Sequence, residues 1–278
     1  MSAKKVLITG VYGLIAGAIY KHLCAQPEIY EAYGLARRRQ PSARVAPDKR
    51  IDIPENRFVQ SDLSNLGQVT RAVQGMDVVV HMAAEPDPWA EWEKILASNI
   101  IGAYHVFEAC RLAGVKRVVY ASSVMVSWGY RDIEPYKAIT ETRYDDITAP
   151  VPIVTHEWPT RPCDLYASSK VFGEALAHTY AQQHGLSCLC LRIGSVVAED
   201  RPISSDLLAV WCSQRDIVQL AECCIQAPDS LRHGVFYGVS DNRWRWVDIE
   251  HARQVLGYEP QDRGEDRFRP EDGEGGAA

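Results

Sequence analysis

Short apolar runs alternate with longer amphipathic stretches along most of this chain. Lys5-Val6-Leu7-Ile8-Thr9 is the first such run and has the pattern of a buried strand. Runs of this kind predict strands near 4–9, 31–36, 57–60, 77–80, 116–121 and 187–192. Apolar positions at helical spacing predict helices near 13–26, 66–74, 91–113, 165–184 and 214–227. Strands that alternate with helices imply an α/β fold, with a doubly wound parallel sheet covered on both faces. Two regions break the rhythm. Residues 124–164 carry Pro135, Pro150, Pro152, Pro159 and Pro162 and read as a long loop. It leaves the chain just after Ser123 and returns just before Tyr166, so it is expected to wall whatever site lies between them. Residues 193–260 read as a small cap on the substrate side, with a strand near 234–239 and a helix near 248–256. This divides the chain into 1–192, 193–260 and a tail, 261–278. The tail is rich in Gly, Asp, Glu and Arg, has almost no apolar residues, and is expected not to fold.

Composition narrows the classes of function. A chain of 278 residues with 46% hydrophobic and 24% charged residues can bury a large core. A net charge of −6 does not indicate a nucleic-acid partner. No apolar stretch approaches the roughly 20 residues of a membrane span. The first residues run into a strand with no secretory pattern, so a cytoplasmic protein is expected. The eight cysteines are scattered, none in a Cys-x-x-Cys pair, which argues against zinc and for reduced core thiols. No metal is expected.

Two motifs carry chemistry. Gly10-Val11-Tyr12-Gly13-Leu14-Ile15-Ala16 joins the first strand to the first helix. In such a loop the first glycine permits a tight turn and the second lets the backbone approach a pyrophosphate. A small residue at Ala16 lets the helix pack close to the sheet, and the helix N-terminus faces the phosphates. Gly10, Tyr12, Gly13, Leu14 and Ile15 are therefore candidate dinucleotide contacts. The second motif is Tyr166-Ala167-Ser168-Ser169-Lys170. Positions i and i+4 share a helix face, so the phenol and the ammonium would meet. Opposite charges about 4 Å apart at an effective dielectric near 20 attract by roughly 4 kcal/mol. That would bring a phenol from near 10 to around neutrality, where a proton donor and acceptor works best.

Together these motifs resemble the extended short-chain dehydrogenase/reductase family, also called the NAD-dependent epimerase/dehydratase family. The resemblance spans roughly residues 4–260 and implies a Rossmann-type fold. Further pieces fall in the expected order. Asp62-Leu63 follows the third strand, where the family contacts adenine. Ala83 and Ala84, in His81-Met82-Ala83-Ala84, end the fourth strand beside the cofactor. Asn99, in Asn99-Ile100-Ile101-Gly102, resembles the family's Asn-x-x-Gly segment and is expected at the cofactor site, where it would brace the backbone beside Lys170. Val118-Val119-Tyr120-Ala121-Ser122-Ser123 ends the fifth strand with the family's catalytic serine, Ser123. Leu191-Arg192-Ile193-Gly194-Ser195 resembles the strand after the catalytic helix and places Ile193 at the cofactor. The implied activity is hydride transfer between a nicotinamide dinucleotide and a small carbonyl or hydroxyl substrate. Tyr166 would exchange the proton, Lys170 would hold the nicotinamide ribose, and Ser123 would position the substrate oxygen. Ser122 reads as a strand-end backbone partner.

Cofactor choice turns on the end of the second strand. NAD-preferring enzymes place a carboxylate there for the adenosine 2′-hydroxyl. Here Tyr33-Gly34-Leu35-Ala36 runs into Arg37-Arg38-Arg39. Guanidinium groups suit a 2′-phosphate, so Arg37 and Arg38 point to NADP, with NAD as the alternative.

Within the family the chain resembles the uronate dehydrogenases, most clearly in Arg192-Ile193-Gly194-Ser195 and Trp211-Cys212-Ser213-Gln214-Arg215-Asp216. The substrate contacts depart. Where that group has Asn-His after its serine, this chain has Val124-Met125. The carboxylate-clamping arginine is matched by Asp206, with Arg201 a little earlier, and a loop serine by Pro86. Ser195 alone carries over. The expected substrate contacts are Ser123, Val124, Met125, Tyr166 and Ser195, in a less polar pocket. Two alternatives stay open: a nucleotide-sugar epimerase or dehydratase, and a non-catalytic NADP-binding regulator. Dehydratases carry an acidic pair where Val124-Met125 stand, and regulators usually lose the Tyr/Lys pair kept here. A homodimer on helices 91–113 and 165–184 is expected by family analogy.

Overall fold

The computed structural model describes residues 2–269. Seven strands form one parallel sheet in the order β3-β2-β1-β4-β5-β6-β7. They are β1 Lys4–Thr9, β2 Tyr30–Ala36, β3 Phe58–Gln60, β4 Val78–His81, β5 Arg117–Ser123, β6 Ser187–Ile193 and β7 His233–Gly238. β5 and β6 are buried along their whole length, as strands covered on both faces must be. The strand order reverses between β1 and β4, which opens a crevice at the carboxyl ends of those strands.

One face carries α1 Leu14–Cys24 and α7 Gln214–Gln226. The other carries α2 Leu66–Ala72, α4 Gly102–Ala113 and α6 Leu165–His184. α6 starts where the Asp164 carboxylate accepts the Ala167 N–H at 2.7 Å and stops at Gly185 in the left-handed conformation. This cap sets the rotation of the helix that presents Tyr166 and Lys170. The helix expected over 91–113 is interrupted. α3 Trp92–Ile95 passes into a π-helical turn, Leu96–Ile101, before α4. The wider turn puts Asn99 in the interior, where it is 2% exposed.

Three expectations change. The strand near 234–239 does not belong to a separate cap: β7 pairs in register with β6, from Cys188 beside His233 to Ile193 beside Gly238. Its Val235, Phe236 and Tyr237 are buried, so the segment completes the main sheet rather than folding apart. Region 124–164 is not an open loop. It holds a 3-10 segment Val124–Asp132, α5 Tyr136–Thr140 and a bridge from Val154 to Val247. Its Tyr130, Tyr136 and Ile139 share a core with Val239, Trp246 and Ile249. The tail does not begin at Gln261. The carboxylate of buried Asp262 pairs with Arg215 and Arg267, both at 2.5 Å, and α9 Gly264–Arg267 follows α8 Glu250–Leu256. Charges that read as solvating are paired there; the rest of the expected tail, 270–278, lies outside the described residues. Among the described residues no helix is long and apolar enough to cross a membrane.

Candidate active site

A cavity of about 500 Å³ lies at the carboxyl ends of β1, β4, β5 and β6. Its floor is the turn into α1. Gly10 sits at φ +68, and a Cβ there would meet the Ala83 Cα at 2.8 Å, so no other residue fits the turn without moving the loop after β4. Gly10, Gly13, Leu14 and Ile15 line the cavity as expected from the motif. No side chain caps α1 and its first turn has no acidic residue, which leaves its N–H groups available to an anion. Tyr12 does not line this cavity. Its ring turns to the other side of the loop and packs against Phe58, with centroids 5.5 Å apart.

A second hollow of about 300 Å³ continues from Gly10 to the edge of the sheet and is lined by Arg37, Asp62, Leu63, Ala83 and Ala84. The Ser64 N–H, aided by Arg37, holds the Asp62 carboxyl below its usual value. Arg38 is exposed and lines neither hollow, so only Arg37 of the pair faces the expected adenosine end. The loop after β4 is fixed by Thr9, whose hydroxyl takes the Ala83 N–H at 3.1 Å and meets His81 Nδ1 at 2.8 Å. Burial pushes the His81 imidazole down to about 3, so it is neutral.

Ser123, Tyr166 and Lys170 meet at the inner end of the cavity. Ser123 Oγ accepts the Met125 N–H at 3.2 Å. Lys170 Nζ donates to the Ala121 carbonyl at 2.8 Å and lies 5.4 Å from the centre of the Tyr166 ring. The expected electrostatic balance is reversed. Burial raises the Tyr166 phenol, and the Ser123 hydroxyl and the Arg44 guanidinium only partly offset this. Burial lowers Lys170 from 10.5 to about 7. Withdrawal from water disfavours the charged form of both groups, the phenolate and the ammonium.

Asn99 does not line the cavity, and it ties the Glu85 backbone to the side chain of Ser169, the neighbour of Lys170. Its Oδ1 accepts the Glu85 N–H at 2.8 Å, and its Nδ2 donates to the Glu85 carbonyl at 3.1 Å and to Ser169 Oγ at 3.0 Å. With both ends of the amide used, Asn99 is a positioning residue and not a cofactor contact. Ser122 has a side-chain partner rather than a backbone one. It donates to Glu174 at 2.6 Å, and Glu174 pairs in two bonds of 2.9 Å with Arg192. Arg192 also donates to the Tyr237 hydroxyl at 2.9 Å, which meets Ser127 Oγ at 2.7 Å. This buried chain of bonds joins α6, β5, β6 and β7 below the reacting groups.

The outer wall is Val124, Met125, Pro86, Trp128, Leu207 and Ser195, with Ile193 between this wall and the floor. Asp206, at the position of the expected carboxylate clamp, is paired with Arg131 at 3.0 Å. That guanidinium stacks over Trp128 at 4.1 Å. Arg201 does not line the cavity. Ser42 and Arg44 do, and neither was marked by any motif. They sit in an irregular stretch with no periodicity, and their partners are backbone carbonyls far away in sequence.

The residues present fit a dinucleotide. The open α1 N-terminus suits a diphosphate, and Lys170 has one protein acceptor for three donors, leaving two for ribose hydroxyls. The sequence pattern of the NAD dependent epimerase/dehydratase family matches residues 6–212. The chain is similar to the NAD-dependent glucose-6-phosphate dehydrogenase of Haloferax volcanii, at 33% identity over 92% of this chain and 93% of that one. It is also similar to the L-arabinose 1-dehydrogenase (NAD(P)(+)) of the same organism, at 33% identity over 72% and 80%. Among solved structures, uronate dehydrogenase from Agrobacterium tumefaciens superposes with a TM-score of 0.76 at 30% identity, covering 96% of this chain and 87% of that one. A Gly-rich turn at the crevice, a Ser, Tyr and Lys converging beside it, and these likenesses together place the chain in the NAD-dependent epimerase/dehydratase family, the extended short-chain dehydrogenase/reductases.

Proposed function

We propose that this protein oxidises a hydroxyl group of a free sugar or sugar derivative to a carbonyl with NADP, with NAD as a slower cofactor, and runs the reverse reduction. It is an NAD(P)-dependent oxidoreductase of the short-chain type. The observation that carries the reading is the meeting of Ser123, Tyr166 and Lys170 in the cavity whose floor is the Gly10–Ile15 turn. The bound nicotinamide would supply the hydride acceptor. Tyr166 Oη, in its ionised form, would take the proton of the substrate hydroxyl, and Ser123 Oγ would hydrogen-bond the same oxygen and fix its direction. Lys170, held by the Ala121 carbonyl, would grip the ribose and add positive charge beside the phenol as it ionises. The sugar-like substrate is favoured by the names of the relatives, which act on glucose 6-phosphate, arabinose and uronate. The wall of Val124, Met125 and Trp128 favours a substrate with less polar surface than a uronate on that side. The same wall has no acidic pair after Ser123, as dehydration would need.

NADP is favoured by Arg37 in the adenosine-side hollow and by the absence of a carboxylate at the end of β2. A homodimer on α4 and α6 is favoured by exposed Ile101 beside α4, Tyr104 on it, and Leu165 and Phe172 on α6. Its check is the mass in solution at micromolar concentration. A cytoplasmic site fits the eight unpaired cysteines. The test of the function is turnover of aldoses, sugar phosphates, uronic acids, aldehydes and ketones with each cofactor. Oxidation of at least one sugar, faster with NADP, is expected. Reduction of simple aldehydes with no sugar oxidised would refute the substrate class.

A further inference from the structure

Between β2 and β3 the chain makes a long excursion, and part of it crosses over the mouth of the cavity. Ser42 N–H donates to the Tyr12 carbonyl at 2.9 Å, which ties the segment to the glycine turn. Arg44 Nη2 donates to the Val196 carbonyl at 3.3 Å. Lys49 Nζ donates to Gln214 Oε1 at 3.0 Å and to the Ala198 carbonyl at 3.3 Å. Buried Val45 and fully buried Ile53 anchor the two sides. Residues 42–49 therefore form a strap from the α1 turn to the segment after β6, and Arg44 lies at the middle of the span. Arg44 and Lys170 are the two charged residues among the described residues lining the cavity, and no carboxylate lines it. Lys170 is buried at the inner end, whereas Arg44 is exposed and lines the same cavity as Gly13, Leu14 and Ile15 at the start of α1. One long bond to a neutral carbonyl uses one of the five N–H donors of the guanidinium.

We propose that Arg44 is an anion clamp that closes over the dinucleotide's diphosphate from the side opposite the helix α1 N-terminus. This rests on the reading of the Gly10–Ile15 turn as the cofactor site. The turn offers backbone N–H groups to one face of the diphosphate, and Arg44 offers a bidentate charged fork to the other. The same charge reaches the reacting groups, since Arg44 opposes the burial that raises the Tyr166 phenol. A substrate phosphate or carboxylate is the competing source of the anion.

The test compares the wild type with Arg44→Gln and Arg44→Lys by calorimetric titration with ADP-ribose, which carries the diphosphate, and with adenosine, which does not. Equal thermal midpoints would show that the strap is intact. A charged contact at an exposed position is expected to leave Arg44→Gln about tenfold weaker for ADP-ribose at low salt and unchanged for adenosine. Arg44→Lys should recover part of the loss. Unchanged ADP-ribose binding in Arg44→Gln overturns the proposal, and a raised substrate KM in that variant would then assign the anion to the substrate. Equal losses for ADP-ribose and adenosine would also overturn it, by showing that Arg44 only holds the strap in place. A wild type that binds neither ligand would instead sink the cofactor reading of the turn.

Discussion

Lys170 is expected to lower the stability of this protein while serving its chemistry. The ammonium is enclosed, and burial takes its proton affinity from a lysine's usual 10.5 to about 7. The folded state thus binds the proton less tightly than the unfolded chain. Stability must then rise with pH between about 7 and 10.5, because the unfolded state holds more protons there. Below pH 7 the full penalty applies, roughly 5 kcal/mol at 1.36 kcal/mol for each pH unit between the two values. At pH 9 about 2 kcal/mol of it remains. Lys170→Met keeps an unbranched apolar chain in place of the stem, removes the charge, and gives up the bond to the Ala121 carbonyl, worth about 1 kcal/mol. The variant should therefore be more stable than the wild type by about 3–4 kcal/mol at pH 6, and this advantage should close as the pH approaches 10. Urea unfolding of both proteins at pH 6, 7.5 and 9, with dinucleotide absent, gives the comparison directly. Turnover by the variant should be lost. A variant less stable than the wild type at pH 6, or an advantage that does not change with pH, would show that the buried ammonium is not the source of strain.

Tyr166→Phe should abolish turnover and leave the dissociation constant of NADP nearly unchanged, because the phenol lies on the proton path while the diphosphate and adenosine sites are elsewhere; near-normal turnover would remove it from the mechanism. Arg37→Asp should weaken NADP binding and strengthen NAD binding, and the lost phosphate contact is worth roughly ten- to hundredfold. A wild type that binds NAD at least as tightly as NADP would make Arg37 a solvated turn residue. Glu174→Ala should cost about 3–5 kcal/mol by leaving Arg192 buried without its partner, whereas Glu174→Met combined with Arg192→Met should cost much less. Equal losses in a denaturation series would show that the pair is held by packing and not by charge.

The glycine turn and the Tyr166/Lys170 pair were legible because their spacing repeats a local geometry: a strand running into a helix, and one helix face. Ser123 was legible only through the family resemblance, which implies a catalytic serine at the end of the fifth strand. Arg44 was not, because its partner Val196 is 152 residues away and its own segment has neither helical nor strand periodicity. Tyr12 sits between two glycines that face the cavity, and linear order could not say that the turn sends its ring the other way. The ionisation of Tyr166 is not legible in the spacing, because an i,i+4 pair says nothing of burial. In the fold, desolvation raises the phenol and lowers the ammonium. β7 read as cap although a helix over 214–227 leads into it, because the irregular stretch after residue 193 separates both from the sixth strand. Its burial on both faces becomes apparent only when β6 lies beside it.

The Tyr237 hydroxyl has a consequence for how this enzyme can change. It meets Ser127 of the substrate wall on one side and Arg192 of the sheet on the other. The wall also shares its core with the chain just after β7, through Val239 and Trp246. Recognition and scaffold are therefore one cooperative unit, not a movable module on a fixed base. Remodelling residues 124–164 for a new substrate would strain the last strand of the sheet, and amide exchange in β7 should quicken whenever the wall is loosened. Altered specificity is more accessible at Pro86, which touches the cavity and stands outside this shared core, than at Leu207, which packs against it. An evolutionary path to other sugars would run through Pro86 before it touched Val124 or Tyr130.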